Sequence, residues 1–195
     1  LISSSISNYF LTDLQKFDNK FRYSKLAGVI DDTNSSIRNS KTSIKYQMQI
    51  APTTLAVAAT YTMEFNATLS KGTLTSTAFT ASDGFTYTLI DDSLGNVKLV
   101  RSTYSSGTVT IDVPTIYMTL VSGSEVLGTI DYTTGKVILN SFIPHTISDG
   151  KSYIKMTVTP GTNNQDVTPL REQIITTDST DTAAINIIMV AETII

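Results

Sequence analysis

The sequence predicts an α+β protein that is mainly β, with one N-terminal amphipathic helix on a small mixed sheet and an all-β, sandwich-like insertion. Three observations predict it. Only the first twenty or so residues carry apolar side chains at helical spacing. Two-residue alternation fills most of the remainder. Clusters of Gly, Asp, Asn and Ser break that alternation at short intervals, as in a sandwich or rolled sheet.

The helix is expected over Ser3 to Phe17. Ile2, Ile6, Phe10, Leu14, Phe17 and Phe21 recur at spacings of three and four and form one face. Ser3, Ser4 and Ser5 offer N-capping hydroxyls. Asp13 falls on the apolar face and, if buried, needs a partner such as Lys16 or Arg22. Leu11 points away from the stripe; it is either a singly exposed leucine or one that a partner subunit covers.

Phe21 to Ile30 reads as a strand, with Gly28 marking a bulge, and Asp31 to Ser40 as turns. Ser43 to Ile50 alternates cleanly: Ile44, Tyr46, Met48 and Ile50 share one face, Lys45, Gln47 and Gln49 the other. Leu55 to Leu69 continues the alternation for too long to be one strand, so a bend is expected near Ala58 and Ala59. Further strands are expected around Phe85 to Leu89, Val97 to Leu99, Val109 to Val113 and Val126. Ile130 to Leu139 reads as a hairpin turning at Thr134-Gly135. Tyr153 to Val158 and Ala184 to Ala191 complete the set, with Ile185, Ile187 and Met189 on one face of the last and Ile188 and Val190 on the other. Ser43 to Ile50, Tyr153 to Val158 and Ala184 to Ala191 would form one sheet under the helix. The expected domains are therefore a discontinuous base of residues 1–52 plus 153–195 and a Thr-rich insertion of residues 53–152.

Composition narrows the function classes. Without cysteine there are no disulfides and no thiolate metal sites. Lys and Arg are scattered, against the concentrated basic face of a nucleic-acid binder. No apolar run approaches the roughly 18 residues of a membrane-spanning helix. Abundant Thr and Ser with only 16% charged residues favour β structure and protein-covered surfaces.

No catalytic, cofactor or metal constellation emerges. Asp31 and Asp32 lack the further ligands of a calcium loop. Gly135-Lys136 lacks both the upstream spacing and the Ser or Thr after lysine that a phosphate loop needs. His145, the single histidine, follows Pro144 with no activated serine nearby in the sequence. Asp91 and Asp92 could join Glu64 or Glu125 in acid–base work, but they read more simply as a polar turn before Gly95-Asn96. The glycosylation patterns at Asn34 and Asn66 are frequent by chance in a Ser/Thr-rich chain. The residues expected at interfaces are Leu11, Ile188 and Val190.

Two stretches carry a resemblance: FRYSKLAGVIDDTNSSIRNSKTSIKYQMQI from Phe21 to Ile50, and IDYTTGKVILNSFIP from Ile130 to Pro144. Together, over most of the chain, they resemble the ring-forming baseplate wedge subunit of T-even-type contractile-tailed phages (gene product six) and the wider baseplate J-like family. The resemblance implies a structural virion protein of the tail baseplate, assembled in the bacterial host cytoplasm. It implies homodimers that join wedges into a ring around the tail tube, contacts with other wedge proteins, and rearrangement at host contact. The residues themselves give no sign of enzymatic activity, a cofactor or a small-molecule substrate, nor of nucleic acid or membrane as partner. The sequence opens without Met and is expected to be one piece of a longer wedge protein. The competing reading is a carbohydrate- or receptor-binding module, for which Tyr87, Tyr104, Tyr117 and Tyr132 fit loosely and the absence of Trp counts against sugar stacking.

Overall fold

The computed structural model describes residues 1–17, 19–38, 40–105, 108–112, 126–162, 166–169, 174–182 and 184–189, and at 102–105 and 108–112 the backbone alone. It divides into two compact units, Leu1–Ser43 with Asn164–Ile195, and Ile44–Asn163.

In the first unit, α1 (Ile2–Tyr9) runs directly into a π-helical turn, Phe10–Leu14. The Gln15 N–H closes that turn on the Phe10 carbonyl at 2.8 Å. Within it the Thr12 hydroxyl donates to the Asn8 carbonyl at 2.8 Å, a back-bond that competes with the regular helical ladder. Helical structure thus stops at Leu14, short of the expected Phe17. Phe17 leaves the apolar face and is 66% exposed, while Tyr9 and Leu14 are buried. The serines expected to cap lie inside α1, which has no side-chain cap.

Phe21 to Ile30 is not the expected strand. Residues Tyr23–Asp31 form a second helix, α2. Tyr23, Leu26, Ala27 and Ile30 are spaced at three and four, so the stretch supports either period. Packing against α1 selects the helix, which buries Leu26 and Ile30. The Asp166 carboxylate accepts the Tyr23 N–H at 2.9 Å, placing negative charge at an N-terminus whose own N-cap, Arg22, offers no side-chain hydrogen bond. Only Phe21 keeps strand character, in a two-bond bridge to Val167 at 2.9 and 3.0 Å. Asp13 pairs with Lys25 of α2 at 2.7 Å, not with Lys16 or Arg22. The turns expected after α2 are present: the Asn34 side chain accepts the Ser36 N–H at 2.8 Å, and the Ser40 hydroxyl donates to Asp31 at 2.6 Å.

Ala184 to Ala191, expected as a strand in the base sheet, forms none over residues 184–189; positions 190 and 191 lie outside the described residues. A period-two pattern gains strand structure only from a neighbour that completes the ladder. Among the described residues these have none.

The second unit holds β1 (Tyr46–Ile50), β2 (Ala59–Glu64), β3 (Thr75–Ser76), β4 (Phe79–Thr80), β5 (Thr86–Asp91), β6 (Asn96–Ser105), β7 (Thr108–Asp112), β8 (Val126–Asp131), β9 (Lys136–Phe142), β10 (Thr146–Ile147) and β11 (Ile154–Val158). They form one sheet in the order β1-β11-β3-β5-β6-β8-β9-β2, with β4 pairing β5 and β10, and β7 pairing β6. The described pairings are all antiparallel. The fold is therefore α+β and mainly β. Strands expected in a small mixed base sheet instead join those of the expected insertion. β1 and β11, from the two ends of the β unit, pair from Tyr46↔Val158 to Ile50↔Ile154.

Alternation along each strand explains the core. Tyr87 and Leu89 of β5, Val97 and Leu99 of β6, Val137 and Leu139 of β9, and Ile154, Met156 and Val158 of β11 all enter one apolar cluster. Strands from across the sheet contribute to it, so the sheet curls around its own apolar face. The long Leu55 to Leu69 run bends slightly before the expected place: Ala56 has φ 59°, and β2 begins at Ala59 with an irregular register up to Tyr61. The β8–β9 hairpin turns as expected. Asp131 accepts the N–H of Thr133 at 2.8 Å and the Thr134 hydroxyl at 2.8 Å, and Gly135 takes φ 73°. A Cβ at Gly135 would lie 2.3 Å from the Ala67 carbonyl oxygen, so this turn is also fixed from outside.

Candidate functional site

Asp91, Asp92 and Asp131, three of the polar residues that could support chemistry, are engaged in holding the fold. Asp91 occupies the inward phase of β5, two residues beyond Leu89, and is only 6% exposed. Its carboxylate accepts the N–H groups of Gly72 at 2.5 Å and Leu74 at 2.7 Å and the Tyr132 hydroxyl at 2.6 Å. It thereby ties the loop before β3 and the β8–β9 turn to the end of β5. Burial, and then the Asp91 carboxylate beside it, push the Tyr132 phenol well above its ordinary range.

Asp92, the next residue, serves a different turn. It accepts the Leu94 N–H at 2.9 Å and the Asn96 side-chain amide at 2.8 Å, and lies 3.5 Å from the Lys98 ammonium. The Asn96 amide, more than any other neighbour, holds its carboxyl down at about 2. Asp131 is lowered chiefly by the Thr134 hydroxyl. Glu64 pairs with Lys136 at 3.3 Å on the neighbouring strand. The His145 backbone N–H donates to the Thr80 carbonyl at 2.9 Å. Glu125 lies outside the described residues. Among the described residues, no three His, Asp or Glu side chains gather as metal ligands would.

These lowered carboxylates give the fold an acid limit. A carboxyl whose folded pKa lies below its unfolded value stabilises above the unfolded value and loses that contribution as pH falls through the folded one. For Asp92 that window runs from about 4, the ordinary Asp range, down to about 2. The melting temperature is expected to fall across this window. Asp92→Asn should lower it at neutral pH and flatten part of the acid slope. A slope unchanged in that variant would show that Asp92 does not contribute.

The expected interface residues do not form a chemical site either. Leu11, on the π-helical turn, is 60% exposed, and Ile188 is 79% exposed with Met189 beside it in sequence at 75%. Val190 lies outside the described residues. An open groove lined by Pro52, Thr53, Thr54, Leu55, Ile147, Lys151 and Ser152 gathers no paired titratable groups. Among the described residues, no helix is long and apolar enough to cross a membrane.

Residues 1–48 match the family model described as baseplate structural protein gp6, C-terminal domain III. The chain is gp6-like over this stretch. It comprises α1, the π-helical turn, α2, the turns that follow and the start of β1. It includes the Tyr23–Asp31 segment, a helix where sequence reasoning expected a strand. It covers roughly a quarter of the chain, and the Ile130 to Pro144 stretch lies outside it. The gp6-like match supports a structural role in the tail baseplate of a phage virion, in association with other baseplate components. No curated protein matches the chain.

Proposed function

We propose that this chain is a self-associating component of a phage tail baseplate wedge. Copies join wedges into a ring around the tail tube, contact other wedge proteins, and take part in rearrangement of that ring at host contact. The reading also takes the protein to be non-enzymatic and assembled in the host cytoplasm, without nucleic acid, membrane or small-molecule substrate as partner. The observation that carries it is the gp6-like stretch over residues 1–48. Two physical features support it. Large apolar side chains, Leu11 and Ile188 among them, stand in water in a protein with sparse charge. The buried Asp91 carboxylate is occupied by backbone and hydroxyl donors instead.

The competing carbohydrate reading loses support from the tyrosines. Tyr87 is buried, and Tyr132 is bound to Asp91. Tyr104 and Tyr117 have no described side chains. Sedimentation of the intact chain tests the proposal against Leu11→Asp and Ile188→Asp. Each variant should weaken self-association at least tenfold with an unchanged far-ultraviolet spectrum. Unaltered association in both would remove these residues from the interface. Binding on a glycan array would favour the competing reading.

A further inference from the structure

We propose that the open edge of β2 pairs with β2 of a second copy, antiparallel about a two-fold axis, so that one sheet continues through two molecules. This rests on the self-association proposed above and adds a second surface to it, distinct from Leu11 and Ile188.

β2 ends the sheet order and pairs only with β9 among the described residues. Its register fixes which groups are unused. Tyr61 faces Leu139 and Met63 faces Val137, and the same ladder continues to the Phe65 N–H, which donates to the Gly135 carbonyl at 3.0 Å. In an antiparallel pair, residues alternate between bonding one neighbour and bonding the other. Tyr61 and Met63 therefore direct their backbone groups to β9. Thr60, Thr62 and Glu64 direct theirs to the open side.

That edge lacks the usual protections. From Tyr61 to Glu64 it carries no Lys, no Pro and no bulge; the irregular register lies at the Ala59 end. Its Thr, Tyr and Met side chains suit a paired strand.

A second copy fits this edge in a specific register. With the two-fold axis at Thr62, Thr62 faces its counterpart, Thr60 faces Glu64 of the second copy, and Tyr61 faces Met63. Every outward backbone group then finds a partner, giving about six hydrogen bonds. The only charge, Glu64, already pairs with Lys136 of its own chain and meets a threonine, not another carboxylate. Moving the axis to Glu64 would oppose two acids, which is unfavourable. Thr62 against Thr62 is a favourable cross-strand pair.

The native chain contains no cysteine, so a cross-link can report the register directly. In a hydrogen-bonded antiparallel pair the facing Cα atoms lie about 5.5 Å apart, within disulfide reach. Thr62→Cys in the intact chain should give a covalent dimer under mild oxidation, while Thr60→Cys, whose counterpart lies farther along the strand, should give little. Thr62→Lys, an exposed substitution, should weaken dimerisation at least tenfold without changing the melting temperature of the monomer. A wild-type dimer with no Thr62→Cys cross-link and no response to Thr62→Lys would overturn the β2 pairing and leave self-association standing. A wild-type chain that stays monomeric at high concentration would overturn both.

Discussion

Asp91→Ala is expected to destabilise the β unit by about 3–5 kcal/mol, because three donors lose their shared acceptor and each buried donor left unsatisfied costs about 1–3 kcal/mol. The loss exceeds one hydrogen bond because three donors are left behind. The Gly72 and Leu74 N–H groups and the Tyr132 hydroxyl all point at this carboxylate. Each would be stranded in a site that is 6% exposed at Asp91. In a domain whose whole stability is about 5–15 kcal/mol, that is a large share. Thermal melts should show a drop of roughly 10 °C or more. Tyr132→Phe removes one donor and should cost only about 1 kcal/mol. Combined with Asp91→Ala, it should cost less than the sum of the two, because the stranded hydroxyl is gone. Strict additivity would mean that the two groups do not interact.

Gly128→Ala should be comparably severe for a steric reason. Gly128 sits on β8 between Val97 of β6 and Leu139 of β9. A Cβ there would lie 2.0 Å from the Ile138 carbonyl oxygen, and 3.0 Å from both the Ile138 carbonyl carbon and the Leu139 Cα. All three are backbone atoms of the neighbouring strand, so no side-chain rotation relieves the contact. Overpacking of this kind costs about 1–3 kcal/mol and occasionally more; here the upper end is expected. Amide exchange in β8 and β9 should quicken first. Gly28→Ala is the control. It lies in α2 with nothing within 4 Å of the added methyl, so it should be neutral or stabilising by up to about 1 kcal/mol. Equal losses at both positions would contradict the steric account.

Elements governed by local chemistry were legible in the sequence. The Ile130 to Leu139 hairpin carries its turn residues, Asp131, Thr134 and Gly135, within the segment that folds. The alternation of β1 and β11 reads directly as strand. What was not legible depends on partners far along the chain. Phe21 to Ile30 fits two periods, and its helix is selected by α1 and by the Asp166 carboxylate, 143 residues from Tyr23. The stretch from Ala184 to Met189 has a strand's pattern without a strand's neighbour. Asp91 looked like a turn residue beside Asp92, yet the sequence held a signal: it continues the Tyr87, Leu89 phase of β5 and so had to be buried. Gly128 gave no such signal, because the close approach of β9 becomes visible only in three dimensions.

The claim on which the functional account turns is that the chain exists to contact other protein chains, its own copies included. Static light scattering of the intact wild-type protein across a wide concentration range, with no ligand added, tests this most directly. The account predicts an average mass that rises from monomer to dimer with concentration. A mass fixed at the monomer value throughout would contradict it.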